Sequence, residues 1–380
     1  MVYLDNASTT YPKPENVYIE MDRCLREYCA NPGRGGHAMS RAAAEAVGKT
    51  REALARFFNF EYPERIVFTK NATEALNIAI KGTLQPGDHV ITTMLEHNSV
   101  VRPLKDLEKE HGIEITFIEG DEYGEVASDT VAAHVRNNTR LIACTLSSNV
   151  NGIIMPVGEI GSVAERYGVP FLVDASQGAG SIDLDMKAMK ITLLAFPGHK
   201  GLLGPQGTGG LCVDQAVELR PLMQGGTGTA SENTYQPRVM PEALESGTLN
   251  TPGIIGLGEG IAFIDRTGRQ TIADHKQHLT ARMHQELSGH PKIHVYSMND
   301  SGKNSGIVAI NIEDMLSTQV SKALDERYGI ATRAGLHCAP FAHKALGYAV
   351  DGGILRFSVG YFNTPDEIDY TVRAVQEIAG

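Results

Sequence analysis

Short apolar runs alternate with amphipathic segments along the first two thirds of the chain. Such runs are typical of buried strands, and the segments between them carry apolar residues at helical spacing. The helical segments include Ala72–Gly82, Ser99–Glu110 and Gly158–Tyr167. Strands that alternate with helices form βαβ units, which predicts an α/β fold with a large, mainly parallel seven-stranded sheet. The predicted strands are Arg65–Thr69, His89–Thr93, Glu114–Ile118, Leu141–Leu146, Pro170–Val173, Leu193–Phe196 and Gly210–Val213.

The pattern changes after residue 250. A Pro-Gly turn is followed by the apolar segment Ile254–Ile264 and by the polar helical stretch Asp274–Leu287. Strand patterns resume at Ile307–Ile312 and Leu355–Val359. We therefore predict a large domain over residues 1–250 and a smaller α+β C-terminal domain over residues 251–380. We also expect the first residues, to about residue 20, to pack with the small domain.

Charge and cysteine content narrow the function classes. The 380 residues carry a formal net charge of -11, which argues against nucleic-acid and membrane-surface partners. No apolar run reaches the roughly 20 residues that span a bilayer, and no signal peptide is evident, so we expect a soluble, cytoplasmic protein. The five cysteines do not form an obvious disulfide framework. Cys24 and Cys29 lack a second ligand pair, so no metal site is predicted.

Polar residues follow four of the predicted strands. In an open parallel sheet, ligands bind beyond the carboxyl ends of the strands, so these residues should converge on one rim. The segments that follow the strands are Glu96-His97-Asn98, Ser147-Ser148-Asn149, Asp174 with Gln177, and Pro197-Gly198-His199-Lys200.

Two of these segments, and a third that follows the predicted strand Arg65–Thr69, suggest a pyridoxal 5′-phosphate (PLP) site. Asp174 is either a helix cap or a partner for a protonated ring nitrogen. Lys200, flanked by glycines, is either a solvated lysine or an amine that forms a Schiff base. Asn71-Ala72-Thr73-Glu74 opens a helix, where free backbone N–H groups either bind phosphate or serve only as a capping segment.

The segment from Arg333 to Pro340 carries a candidate nucleophile. A cysteine is more often a buried small hydrophobe, but glycine before and proline after Cys338 predict an exposed loop. Arg333 and His337 would stabilise a thiolate at Cys338. Arg356, on a predicted strand, is either a clamp for a substrate carboxylate or part of a structural ion pair.

Together these segments resemble the class V aminotransferase superfamily, and within it the group II cysteine desulfurases. The resemblance covers essentially the whole chain, from Tyr3-Leu4-Asp5-Asn6-Ala7 to Arg356-Phe357-Ser358. It implies the PLP-dependent fold type I and a set of residue roles that the residues alone do not establish. Lys200 would bind PLP covalently, Asp174 would pair with the ring nitrogen, and His97 would stack on the ring. The other implied contacts are Gln177 to the ring hydroxyl; Ala72, Thr73 and His199 to the phosphate; Asn149 to the cofactor and, with Arg356, to the substrate carboxylate; and, from the partner subunit of a homodimer, Thr248 to the phosphate and Arg34 to the substrate.

The resemblance also implies the reaction. L-cysteine would become L-alanine, and its sulfur would pass to Cys338 as a persulfide for an acceptor protein. His97 would move protons, because imidazole titrates in the useful range. Alternatives are a selenocysteine lyase acting on L-selenocysteine, another class V aminotransferase, and a non-catalytic protein on a PLP scaffold.

Three positions depart from the resembled pattern. Pro197 stands where a serine usually donates to the phosphate, Gly33 where a histidine is common, and Leu336 where a polar residue is common. These departures concern the phosphate contacts and the substrate pocket, and they leave the cofactor class unchanged.

Overall fold

The fold is that of a computed structural model, which describes residues 1–33, 35–229, 231–300, 302–348 and 352–380. Its strands are β1 (Val2–Tyr3), β2 (Ile66–Thr69), β3 (His89–Thr93), β4 (Glu114–Ile118), β5 (Thr139–Thr145), β6 (Phe171–Asp174), β7 (Leu193–Pro197), β8 (Gly209–Val213), β9 (Ile293–Val295), β10 (Ile307–Ile312), β11 (Ile330–Ala331), β12 (Arg333–Gly335) and β13 (Ile354–Ser358).

The largest sheet has seven strands in the order β2-β8-β7-β6-β5-β3-β4. Neighbours from β4 to β7 pair in parallel, whereas β8 is antiparallel to both β7 and β2. Every residue of β6 and β7 is buried, because helices cover both faces of the sheet. The predicted α/β class with a mainly parallel seven-stranded sheet is confirmed.

Helices cover this sheet and the smaller one. They are α1 (Glu15–Glu27), α2 (Ala38–Phe57), α3 (Ala72–Thr83), α4 (Asn98–His111), α5 (Ser128–Ala133), α6 (Val157–Tyr167), α7 (Thr251–Thr267), α8 (Arg269–Ser288), α9 (Ser317–Tyr328), α10 (Pro340–Ala345) and α11 (Pro365–Ala379). The predicted Pro-Gly turn is wrong, because Pro252 and Gly253 lie in the first turn of α7, and the apolar segment Ile254–Ile264 continues the same helix. Among the described residues, no helix is both long and apolar enough to cross a bilayer.

A second, four-stranded sheet has the order β12-β13-β10-β9 and is antiparallel throughout. A separate apolar cluster, which includes Leu279, Val308 and Phe357, packs beside it. Near the N-terminus, β1 pairs in parallel with β11, and Asp5 forms a bridge to Ser358. The division of the chain at residue 250 stays a prediction.

The segment 333–340 differs from its predicted form. We expected an exposed loop over its whole length, but Arg333–Gly335 forms strand β12, which pairs with β13. Only residues 336–339 form a turn before α10 begins at Pro340. The glycine that suggested a loop, Gly335, pairs with Ile354 and has a φ of 106°.

Candidate active site

The segments that follow the carboxyl ends of β3, β5, β6 and β7 line one cavity. It is lined by most of the residues that the sequence singled out, and by a few others. The lining residues are Asn71, Ala72, Thr73, His97, Ser99, Thr145, Ser147, Asn149, Asp174, Ser176, Gln177, Pro197, His199 and Lys200. Polar groups from four separate strand ends therefore meet at one rim, as the position of ligand sites in open parallel sheets leads one to expect.

Asp174 is the last residue of β6 and is 2% exposed. Its Oδ1 atom accepts a hydrogen bond of 2.9 Å from the backbone N–H of Ser176. Within the described parts of the chain this carboxylate has no other hydrogen-bond donor, and it lines the cavity. A buried carboxylate needs a cation or a donor as a partner, so the position suits a ligand that carries an N–H.

Lys200 is half-buried between this cavity and a second one behind it, and it lines both. Burial lowers the pKa of its amine to about 8, although Asp174 acts in the opposite direction. Desolvation favours the neutral form of an amine, which is the nucleophilic form. The environment of Lys200 therefore suits Schiff-base chemistry better than that of a solvated lysine.

The N-terminus of α3 forms another wall. Asn71 caps the helix by accepting a 2.9 Å hydrogen bond from the backbone N–H of Glu74, while Ala72 and Thr73 line the cavity at the first helical turn. Backbone N–H groups in that turn are donors for an anion. The Nδ1 atom of His199 is buried with no partner among the described residues. Pro197, as expected, contributes no side-chain donor.

His97 caps α4 rather than standing free. Its Nδ1 accepts a 3.1 Å hydrogen bond from the backbone N–H of Ser99, which places the ring proton on Nε2. Burial lowers the pKa of its imidazole to about 4. Its predicted role at the site stays a prediction, but the part that relied on titration near neutral pH is wrong. His97 is neutral at pH 7 and offers an Nε2–H donor.

Arg356 is almost fully buried, at 1% exposed. Its guanidinium donates to Asp5 Oδ1 at 2.9 Å and to the backbone oxygen of Asn149 at 2.8 Å. Its Nε atom is buried and lacks a hydrogen-bond partner among the described residues. The ion pair that we considered as an alternative is therefore present, and one charged donor beyond it is still unused.

Cys338 is exposed, and it lies close to the cavity wall. The side-chain amide of Asn149 donates a 2.7 Å hydrogen bond to the backbone oxygen of His337, and the backbone N–H of Asn98 donates one of 2.7 Å to that of Cys338. Arg333 approaches the Sγ atom of Cys338 to 3.5 Å. The cysteine turn is thus tied directly to residues beside the cavity.

His337 does not have the position that we expected. Its side chain is 2% exposed, and Nε2 donates to the backbone oxygen of Ile354 at 3.0 Å. Burial lowers the pKa of its imidazole to about 2, so the ring is neutral. The prediction that His337 stabilises a thiolate at Cys338 is wrong, because the side chain belongs to the interior.

Of the two residues predicted to reach across a dimer, the structure describes one, Thr248, and it does not line the cavity of its own chain. Thr248 is exposed and accepts a 3.5 Å hydrogen bond from Asn31. Arg34 lies outside the described residues.

The N-terminal segment contributes contacts that the sequence did not predict. The backbone N–H of Thr10 donates to the carbonyl oxygen of His199 at 3.0 Å, and the Lys13 ammonium donates to the same oxygen at 2.7 Å. Burial lowers the pKa of Lys13 to about 7. These contacts fix the backbone next to Lys200. No local pattern reveals them, because their partners are separated by more than 180 residues.

The seven-stranded sheet, with Asp174 and Lys200 at the carboxyl ends of its strands, is shared with a known protein family. The chain matches the model of the aminotransferase class-V family over residues 2–371. It belongs to that family.

Two relatives match this chain over its full length. A probable cysteine desulfurase of Methanothermobacter thermautotrophicus is 40% identical, and the match covers 100% of this chain and 95% of the relative. A cysteine desulfurase of Serratia proteamaculans is 30% identical, with coverage of 100% and 93%.

Solved structures agree as well. The apo structure of a cysteine desulfurase from Thermococcus onnurineus has a TM-score of 0.93 at 32% identity and covers 100% of this chain and 94% of its own. The cysteine desulfurase CsdA of Escherichia coli has a TM-score of 0.88 at 26% identity, with coverage of 99% and 94%. The predicted resemblance to this family, and to the cysteine desulfurases within it, is confirmed.

Proposed function

We propose that this chain is a PLP-dependent cysteine desulfurase that converts L-cysteine to L-alanine and takes the sulfur onto Cys338. One observation carries the proposal: Lys200 and Asp174 line a single cavity, and the turn that presents Cys338 is hydrogen-bonded to Asn149 in its wall. The names of the relatives at 30% to 40% identity support the same reaction.

The cavity has the donors and acceptors that PLP requires. Asp174 would pair with the ring nitrogen, and Lys200 would bind the aldehyde carbon. The first turn of α3, at Ala72 and Thr73, would hold the phosphate, and the unpaired Nδ1 of His199 offers it a further contact. Gln177 lines the same cavity, and its side-chain amide donates to the backbone oxygen of Ala7 at 2.9 Å, so its carbonyl oxygen would be left for the ring hydroxyl. Bound there, PLP supplies an electron sink for the substrate Cα.

The substrate carboxylate would bind at Arg356. Its buried Nε is a charged donor without an acceptor, and leaving such a group unpaired is costly. A carboxylate from the substrate would supply that acceptor. Asn149, whose backbone oxygen already holds Arg356, would fix the same end of the substrate.

Two chain groups would then act on the substrate. The amine of Lys200, with its pKa lowered to about 8, is partly neutral at pH 7 and would take the Cα proton. The thiolate of Cys338 would attack the substrate sulfur, so that an S–S bond forms and the C–S bond breaks. The electron pair of that bond stays with the carbon product, which is released as alanine after protonation. The Nε2–H of His97 is a neutral donor available beside these groups.

The proposal extends to partners. Thr248, which is expected to reach across a dimer, is exposed beside Asn31 and so is available to a partner subunit. This supports a homodimer. Exposure of Cys338 suits delivery of sulfur to an acceptor protein. All five cysteines are free, which suits a reducing compartment such as the cytoplasm.

The test compares Cys338→Ala with Cys29→Ala, a change at another exposed, free cysteine. After incubation with L-cysteine, mass spectrometry should find one added sulfur atom on the Cys338 peptide of the wild type and of Cys29→Ala. Cys338→Ala should keep the absorbance of bound PLP, while alanine formation falls by about a hundredfold or more. L-selenocysteine is assayed in parallel. Alanine formation from L-cysteine at the wild-type rate in Cys338→Ala would refute the proposal.

A further inference from the structure

The hydroxyl of Ser8 lies where two arginines and a carboxylate meet. It donates to Asp5 Oδ1 at 2.7 Å, and it accepts from Arg356 at 3.0 Å and from Arg333 at 3.2 Å. A hydroxyl has one donor and two acceptor positions. All three positions are occupied here, so Asp5, Arg356 and Arg333 are oriented by hydrogen bonds to the same oxygen atom.

Arg333 extends from Ser8 to the reactive cysteine. One terminal nitrogen, Nη1, donates to Ser8, and the other, Nη2, lies 3.5 Å from the Sγ atom of Cys338. The guanidinium group is planar and rigid, so anchoring one nitrogen sets the position of the other. Without the hydroxyl of Ser8, the guanidinium would be free to rotate away from the sulfur.

The backbone of the cysteine turn is held independently of Ser8. His337 and Cys338 have φ values of 50° and 58°, which are costly for residues other than glycine and persist only where the surroundings fix them. The contacts from Asn149 and Asn98 described above supply that support. The backbone that carries the sulfur is therefore held without Ser8, and the position of the Arg333 guanidinium decides whether a cation lies next to the Sγ atom.

We propose that Ser8, backed by Asp5, is a positioning residue that directs the Arg333 guanidinium at Cys338 and so stabilises its thiolate form. The proposal rests on the proposed function only in treating Cys338 as the sulfur acceptor. Ser8 is the informative position because Arg356 keeps Asp5 and Asn149 when the hydroxyl is removed. Ser8→Ala would therefore remove the hydrogen bond that anchors Arg333. Arg356, the proposed site for the substrate carboxylate, would keep its contacts with Asp5 and Asn149.

The experiment measures alkylation of Cys338 by iodoacetamide in the PLP-loaded enzyme, using mass spectrometry of peptides. Near pH 7, Ser8→Ala should react about threefold to tenfold more slowly than the wild type, because the thiolate is the reactive form. Near pH 10, where most thiols are ionised, the two rates should converge. Ser8→Thr keeps the hydroxyl and should stay within about twofold of the wild type. Alkylation of Cys29 in the same samples is the internal control.

Three outcomes would overturn the proposal. Ser8→Ala could react at the wild-type rate near pH 7, it could be slower by the same factor at both pH values, or Ser8→Thr could be as slow as Ser8→Ala. Arg333→Met provides a second test if Ser8→Ala does not fold, since wild-type reactivity in that variant also contradicts the proposal. Alkylation needs no turnover, so a failure to form persulfide in the wild type would count against the proposed function alone.

Discussion

Glu96 carries a carboxyl group buried inside the protein. Its replacement by glutamine should change how the stability of the protein depends on pH. The side chain is 0% exposed. Oε1 accepts hydrogen bonds from the hydroxyl of Thr93 at 2.7 Å and from the backbone N–H of Thr145 at 2.9 Å. Oε2 has no partner among the described residues. Burial raises the pKa of Glu96 to about 8, so the folded protein holds this group as a neutral acid at pH 7.

A raised carboxyl pKa opposes folding as the pH increases. The unfolded chain releases this proton at its ordinary pKa of 4.5, whereas the folded chain keeps it to about 8. Between these values the folded state binds more protons, so stability is lost as the pH rises through that window. Each pKa unit corresponds to about 1.4 kcal/mol, which gives an upper limit of roughly 5 kcal/mol. Glutamine does not titrate and keeps an oxygen for both donors.

We therefore expect Glu96→Gln to gain stability relative to the wild type by about 2–4 kcal/mol between pH 5 and pH 8. Urea unfolding of the cofactor-free proteins at both pH values measures this change. Glu64→Gln, at an exposed glutamate, is the control, and its difference from the wild type should stay constant. A Glu96→Gln difference that is also independent of pH would refute the conclusion that Glu96 is a buried neutral acid.

Two further predictions concern the proposed phosphate site at the first turn of α3 and the hydrophobic core. Thr73→Ala should weaken PLP binding by about tenfold to a hundredfold, since it removes one hydrogen bond to a charged group while the backbone donors remain; fluorescence titration measures this, and unchanged affinity would exclude Thr73 from the phosphate site. Phe196→Ala should lower the free energy of unfolding by about 3–5 kcal/mol, because this ring is 0% exposed and packs 5.1 Å from the Phe58 ring. Phe362→Ala, at a ring that is 36% exposed, should cost clearly less, and equal losses in the two variants would contradict the packing described here.

Local patterns were sufficient to predict the large sheet. Its central strands are buried on both faces and are largely apolar, whereas the edge strand β4 is only partly buried. The predicted bounds of all seven strands lie within two residues of the observed ones. The start of β5 was missed, because Thr139 and Arg140 are polar although Thr139 pairs with His89. Strands of two or three residues were missed as well. β11, for example, exists only through its pairing with β1, some 330 residues earlier in the chain.

The residues of the site also divide into those that local sequence patterns predict and those that only the complete fold reveals. Asp174, His97 and Lys200 could be predicted because each follows its own strand, and strand ends converge by topology. Ser8 and Lys13 could not, since their partners at Arg333 and His199 are brought close only by the complete fold. His337 was misjudged because proximity in sequence to Cys338 does not set the direction of a side chain. At positive φ the turn directs that imidazole into the interior.

The central claim is that the amine of Lys200 carries PLP. Borohydride reduction of the PLP-loaded enzyme, followed by digestion and mass spectrometry, tests it directly. The account predicts a pyridoxyl group on the peptide that contains Lys200 and on no other. Lys13 and Lys276 make the test stringent, because burial also lowers the pKa of their amines, to about 7 and about 8. A label on either of these lysines, or no label at all, would contradict the claim.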